Sequence, residues 1–408
     1  MSRSKNNTIT SNNLDSKILY LTIIAVIITH FIVRIKIFTN QLNFDMMIVP
    51  SRANIFTYYK LNWLIVISIL LLISIIYKML KYKHKLSIDY ILVGTGLIII
   101  AALVTTILSP LKEVSIWGLY SRNNGLLAYL SLFLLMYCIS NFKIEKKHVS
   151  FLVHSINIAS IVLVTIGIFQ FFGLDILDSM WFKQIYTPSE YKYLIGNIDI
   201  TQIKFYGTEY YNTASILDQY NYFGAYSSII FPLVTAFALN EDNLIKKILL
   251  IIGSIMLFTG TILAQSMGSI IAMFAVLILI PIFLVNKSNY KSFILMCLGY
   301  TIVAATINKL TKYIAFSEIY KIIVQILSSK LVAIVLLMII IYVLLFIFRK
   351  KVSKYRYLLV SISIILVLLI GALGFTYVIN NVVEENMGML SGRGYIWHYV
   401  DGLIEEHI

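Results

Sequence analysis

The chain has 408 residues, 59% of them hydrophobic and only 13% charged, with a formal net charge of +14 and a mean hydropathy of +0.86. Apolar runs long enough to cross a hydrocarbon layer of about 30 Å recur throughout, which excludes a water-soluble globular fold and indicates a multi-pass membrane protein. The basic residues fall in short segments between these runs, where lipid and topology account for them, so nucleic acid is not expected as a partner.

In chain order, residues 1–17 form a polar, cytoplasmic tail, and no small-residue cleavage site follows the first apolar run, which reads as an uncleaved span. Eleven spans are predicted: Ile18 to Val33, Leu61 to Met79, Ile88 to Leu108, Leu126 to Ser140, Val149 to Phe172, Phe223 to Leu239, Ile248 to Ala264, Ser269 to Val285, Ser292 to Ile307, Leu331 to Phe348 and Leu358 to Ile379. The expected fold is an all-α polytopic helix bundle over residues 18–379, with a long outer loop at 173–222 and an outer-face segment at 380–408. Cys138 and Cys297 both fall inside spans, so neither a disulfide nor a cysteine-based metal site is indicated, and no cofactor is expected.

Charge sets the orientation. With the N-terminus cytoplasmic, the inner segments and their span ends hold 19 Lys/Arg, Lys78 among them, and 5 Asp/Glu, whereas the outer ones hold 14 of each. The localisation expected is a bacterial cytoplasmic membrane, with the C-terminal segment outside. Nearly all loop mass then lies on the outer face, and chemistry is expected there. The first outer loop, Ile35 to Lys60, carries no interpretable motif. Tyr186, Tyr191, Tyr193, Tyr206, Tyr210, Tyr211, Tyr220 and Tyr222 crowd the loop before span six, suited to lying against a sugar or to anchoring at headgroup level. Between spans nine and ten, Ile314, Ile319, Ile322, Ile323 and Ile326 share a face opposite Glu318, Lys321 and Gln325, the spacing of an interfacial helix.

Every even-numbered span then starts at the outer face, where a helix N-terminus offers free N–H groups and the positive end of the dipole to an anion. Three such ends carry short polar residues and glycine: Arg122 to Gly125 before span four, Asp218 to Gly224 around the start of span six, and Gln265 to Ser269 before span eight. Asp218 and Asn221 also suit ordinary helix capping at a bilayer surface. In the tail, Ser391 to Gly394 precede a helical pattern in which Arg393 and Trp397 lie one turn apart. An arginine in a first turn opposes the dipole, and an anion between them would relieve this.

The segments GLYSRNNGLLAYL (Gly118 to Leu130), LDQYNYFGAYSSIIFPL (Leu217 to Leu233), AQSMGSIIAM (Ala264 to Met273) and SGRGYIWHYVDGLI (Ser391 to Ile404) resemble, in order and spacing, the O-antigen ligase and polysaccharide polymerase superfamily. The resemblance implies a metal-independent glycosyltransferase that moves a glycan from an undecaprenyl-diphosphate carrier to an acceptor sugar outside the membrane. It implies that Arg393, and after it Arg122, stabilises charge developing on the diphosphate, that Asn221 positions the donor with Asp218 and Ser266 nearby, and that Trp397 lines the site. Two departures stand out. Met267 occupies the place where relatives carry an arginine, and the family's acceptor-activating histidine lies beyond Ile408. His398 and His407 do not stand in its context.

Two alternatives follow. One is a catalytically incomplete relative that binds carrier lipid or assists polysaccharide assembly. The other is a transporter of lipid-linked glycan, which would place ionisable residues near the bilayer midplane. Instead His30, Asp89 and His154 lie near span ends.

Overall fold

The computed structural model describes residues 2–42, 48–83, 86–87, 90–119, 122–187, 213–283 and 289–310. The tail residues Arg393 and Trp397, the segment 314–326 and spans ten and eleven lie outside them. The helices are α1 (Ser2–Thr29), α2 (Tyr58–Tyr82), α3 (Tyr90–Leu108), α4 (Lys112–Trp117), α5 (Leu126–Ser140), α6 (Lys146–Phe171), α7 (Met180–Tyr186), α8 (Tyr220–Asn240), α9 (Leu244–Leu263), α10 (Met267–Phe283) and α11 (Tyr290–Leu310). Among the described residues seven helices are long and apolar enough to cross a membrane, with α5 and part of α10 as shorter apolar ones. Their isoleucine-rich runs still form helices, because in lipid each backbone polar group must find its partner inside its own segment.

Two compact units divide the chain: residues 1–273 with 288–335, and residues 274–287 with 336–408, of which only 274–283 of α10 is described. Within the first unit α1, α2 and α5 close on a core of Leu19, Ile67, Leu71, Ile75, Cys138 and Phe142. Helix α9 packs on α8, α6 and α11. The α6–α9 contact is close because residue 253 is glycine: a Cβ there would lie 1.7 Å from Asn157 Oδ1. Asn157 Nδ2 donates to the Leu249 carbonyl at 3.0 Å. Thr235, Ser254 and Tyr300 join α8, α9 and α11 through a buried hydroxyl chain of 2.7 and 2.6 Å, the polar adhesion available where the hydrophobic effect is silent.

The first loop contains an element that the sequence reading missed. Strands β1 (Lys36–Leu42) and β2 (Ile48–Asn54) pair antiparallel, with Lys36 opposite Asn54 and Leu42 opposite Ile48. The all-α expectation therefore holds for the membrane helices and not for this connection.

Helix ends sort onto two levels. At one, α2 and α5 end and α6 begins beside the middle of α1, at Asp15 and Ser16. Lys78, counted from sequence among the inner-face cations, is buried there: its Nζ lies 2.9 and 3.0 Å from the two carboxylate oxygens of Asp15 and donates to the Asn141 carbonyl at 3.2 Å. The Glu145 backbone N–H donates to His148 Nδ1 at 3.0 Å, so the ring proton sits on Nε2, which donates to Ser16 Oγ at 2.8 Å. At the other level α1 and α6 end while α2, α5 and α8 begin, and the candidate site residues gather there.

Candidate functional site

The segment 213–219 leads into α8 and organises this end. Ser215 and Asp218 adopt left-handed backbone angles, φ 52° and 76°, which fold the segment back on itself. Ser215 Oγ donates to the Leu163 carbonyl at 2.7 Å, Gln170 Nε2 donates to the Ser215 carbonyl at 3.0 Å, and the Thr213 N–H donates to the Leu263 carbonyl at 3.3 Å. The turn is thus tied to the ends of α6 and α9. Beneath it lies an apolar floor of Phe56, Leu163, Leu177 and Ile216, with Tyr226 packed against it.

Two cations converge on this turn. Lys60, in the first turn of α2, donates from Nζ to the Ile216 carbonyl at 2.9 Å. Arg122, exposed in the loop before α5, acts electrostatically on Asp218, as does Lys60. Burial raises the Asp218 carboxyl above its usual range, and the two cations pull it back. The three charges sum to one excess positive charge at the start of α8, a setting that suits an anion added beside Arg122.

The arginine loop is held by backbone contacts. Gly118 has φ +86°, and Cβ atoms built at Gly118 and Gly125 would each come within 2.4 Å of a backbone nitrogen of the other strand of the loop. Asn123, at φ 48°, is buried, and its Nδ2 donates to Thr57 Oγ1 at 2.8 Å. Asn54 Oδ1 in turn accepts from the N–H groups of Thr57 and Tyr58 at 2.9 and 3.0 Å, so the loop docks on the capped start of α2.

The structure therefore brings Arg122 and Asp218 together and adds Lys60. Asp218 faces the cations and precedes the N-cap position, which is Gln219 and makes no side-chain capping bond. Asn221 is half-buried in the first turn of α8. Ser266 is buried where α10 meets α8: its Oγ accepts from Ser269 Oγ at 3.1 Å, and a Cβ at Gly224 would lie 2.9 Å from Ser266 Cβ. It packs helix against helix. Tyr186, expected to lie against a sugar or to anchor at headgroup level, is instead buried with its hydroxyl 3.4 Å from the Leu177 carbonyl. Tyr222 is exposed at the start of α8, while Tyr191, Tyr193, Tyr206, Tyr210 and Tyr211 lie outside the described residues.

Two further features lie at this end, of which the sequence points only to His30, as an ionisable residue near a span end. His30, just past α1, rests edge-on against Tyr226 with ring centroids 5.3 Å apart, and Lys60 acts on it electrostatically. An apolar groove between the ends of α6, α9 and α11 is lined by Ile168, Phe171, Phe172, Leu263 and Ile307 among others. One lining residue, Leu263, accepts at its carbonyl from the Thr213 N–H of the segment that carries Asp218. Lys60 also carried a usable signal: a lone cation at the start of an otherwise apolar span is a candidate buried charge.

No family model matches the chain, and no curated protein or solved structure matches it.

Proposed function

We propose that the protein is a glycosyltransferase of the O-antigen ligase or polysaccharide polymerase type, moving a glycan from an undecaprenyl-diphosphate carrier to an acceptor sugar on the outer face of a bacterial cytoplasmic membrane. In this reading the chain has eleven spans with the N-terminus inside, as the bias of Lys and Arg requires, and the Arg122 end of the bundle faces out. The observation that carries the reading is the convergence of Lys60 and Arg122 on Asp218 at the start of α8.

Breaking a glycosyl–diphosphate bond leaves the electron pair on the diphosphate, and preorganised cations stabilise that charge without a metal. Arg122 serves as an exposed contact on a loop held by its backbone, Lys60 supplies charge from its seat on the Ile216 carbonyl, and Asp218 attracts both cations. The groove beside the turn offers hydrocarbon to the carrier's chain. Arg393 joins as a further diphosphate contact on the strength of its motif.

Binding of undecaprenyl diphosphate to the purified full-length protein in lipid nanodiscs, read by native mass spectrometry, tests the site. Arg122→Ala is expected to weaken binding about tenfold, the worth of one charge-assisted hydrogen bond, and equal affinity for variant and wild type would remove the support. Binding of the carrier by the purified protein with no glycan transfer would leave a carrier-binding assembly factor in place of an enzyme.

A further inference from the structure

The short helix α7 is turned inside out for a segment in water. Lys183, its one charged residue, is 2% exposed and lies 3.4 Å from Asp178 Oδ1, and Tyr186 is buried with its hydroxyl toward the Leu177 carbonyl. Trp181 is 69% exposed, and Met180 and Ile185 are exposed with it. Water would favour the reverse, since withdrawing a lysine from it is costly and withdrawing an indole is favourable. Apolar surroundings make the observed orientation the stable one. We propose that the segment from Phe172 to Ile185 is an interfacial anchor, lying in the boundary between headgroups and hydrocarbon of the leaflet at the Arg122 end, with Trp181 and Ile185 in contact with lipid. The role does not depend on the transfer reading.

Two ties set its depth. The chain leaves α6 through Gly173, whose φ of +79° turns it: the Gly173 and Leu174 N–H groups donate back to the Gln170 and Phe169 carbonyls at 2.9 Å each. Asp175 Oδ1 then accepts from the Leu177 N–H at 2.9 Å and from Gln170 Nε2 at 3.2 Å, which holds the segment against the helix it has just left. At the far end the Tyr186 carbonyl accepts from the Ile35 N–H at 3.0 Å, shortly past α1. The segment is thus pinned to the ends of two candidate spans, the level at which spans leave hydrocarbon.

Continuity names the occupant. Along α6, Ile158, Val162 and Phe169 are exposed on one helical face, the stripe that a span turns to lipid, and Phe172 and Leu174 carry it past the helix end toward Trp181. A tryptophan suits that depth, since its ring is apolar and its N–H can meet water or a headgroup. Gln184, the one exposed polar side chain of α7, fits the same boundary. Gln170 Nε2 also donates to the Ser215 carbonyl at 3.0 Å, so the anchored segment is tied to the turn that carries Asp218 and holds that turn near headgroup depth.

The test places a nitroxide on Ile185→Cys in the full-length protein, reconstituted in vesicles of phosphatidylethanolamine and phosphatidylglycerol. Cys138 and Cys297 are buried, so wild type taken through the same labelling supplies the background. Power saturation with oxygen, which concentrates in hydrocarbon, and with a water-soluble nickel chelate reads the depth. Oxygen should dominate, with the label about 5–10 Å below the phosphates, the depth of an interfacial helix's apolar face. Ile100→Cys, at an exposed position midway along α3, should read deeper. A label that the nickel chelate reaches as readily as oxygen lies in water and overturns the anchor. A label that neither reaches is covered by protein and overturns it equally. Met180→Cys is the second site should Ile185→Cys fail to reconstitute. Trp181→Phe gives a reading without a new cysteine: the emission that wild type has and this variant lacks should be quenched by lipids brominated near the headgroup, and emission that those lipids leave untouched would overturn the anchor.

Discussion

Lys78→Met is expected to destabilise the first unit by about 3–5 kcal/mol, the cost of leaving a buried carboxylate without its partner. The side chains of Lys78 and Asp15 are 1% and 4% exposed, so solvent does little to screen either charge. Asp15 is held by more than Lys78: its Oδ2 accepts from the Lys143 N–H at 3.1 Å, which fixes the carboxylate in place when the ammonium is gone. The Asn141 carbonyl loses a donor at the same time. Removing both charges in Lys78→Met with Asp15→Leu should recover much of the loss, because desolvation of the pair is no longer required. Thermal unfolding in a single detergent, followed by circular dichroism, reads both variants. A single variant that unfolds with the wild type would show that the pair does not hold α1 against α2 and the α5–α6 connection.

That pair also shows where the sequence was legible and where it was not. The apolar runs located the helices, and α5 has the bounds expected of it, Leu126–Ser140. Helices α6 and α9 begin a few residues before their predicted spans, at Lys146 and Leu244, because a helix does not stop where hydrocarbon gives way to water. Lys78 counts from sequence as one more inner-face cation at a span end, and its place just inside the predicted span does not reveal its partner, which lies 63 residues away. The site divides in the same manner. Arg122 and Asp218 stood out because glycine and asparagine beside a helix start are local signals. Lys60 did not, because the carbonyl that fixes it is 156 residues away. The β1–β2 pair was hidden by Asn40, Gln41 and Pro50, residues that a strand seldom favours and that an edge position tolerates.

The second large effect is expected at Gly125, which touches no ligand. Its own backbone angles, φ −79° and ψ −170°, are extended and open to any residue, so the cost of Gly125→Ala is one of contact and not of conformation. A Cβ there would lie 2.4 Å from the Gly118 nitrogen and 2.5 Å from the Ile116 carbonyl oxygen. Backbone atoms cannot rotate away as a flexible side chain can, so the loop between Gly118 and Gly125 must open. Overpacking of this kind costs about 1–3 kcal/mol, and here relief comes by displacing the exposed loop while the α5 core around Cys138 stays in place. Asn123 would then leave Thr57, and Arg122 would lose its position beside Asp218. Gly125→Ala should therefore weaken undecaprenyl diphosphate binding at least as much as Arg122→Ala does, although the arginine remains. Gly96→Ala is the control, since a Cβ there would only touch the Phe133 ring at 4.0 Å and should leave binding unchanged. Were Gly125→Ala to bind like wild type, the guanidinium would be finding the anion through its own flexibility, and the close approach of Gly118 and Gly125 would serve only the packing of α4 against α5.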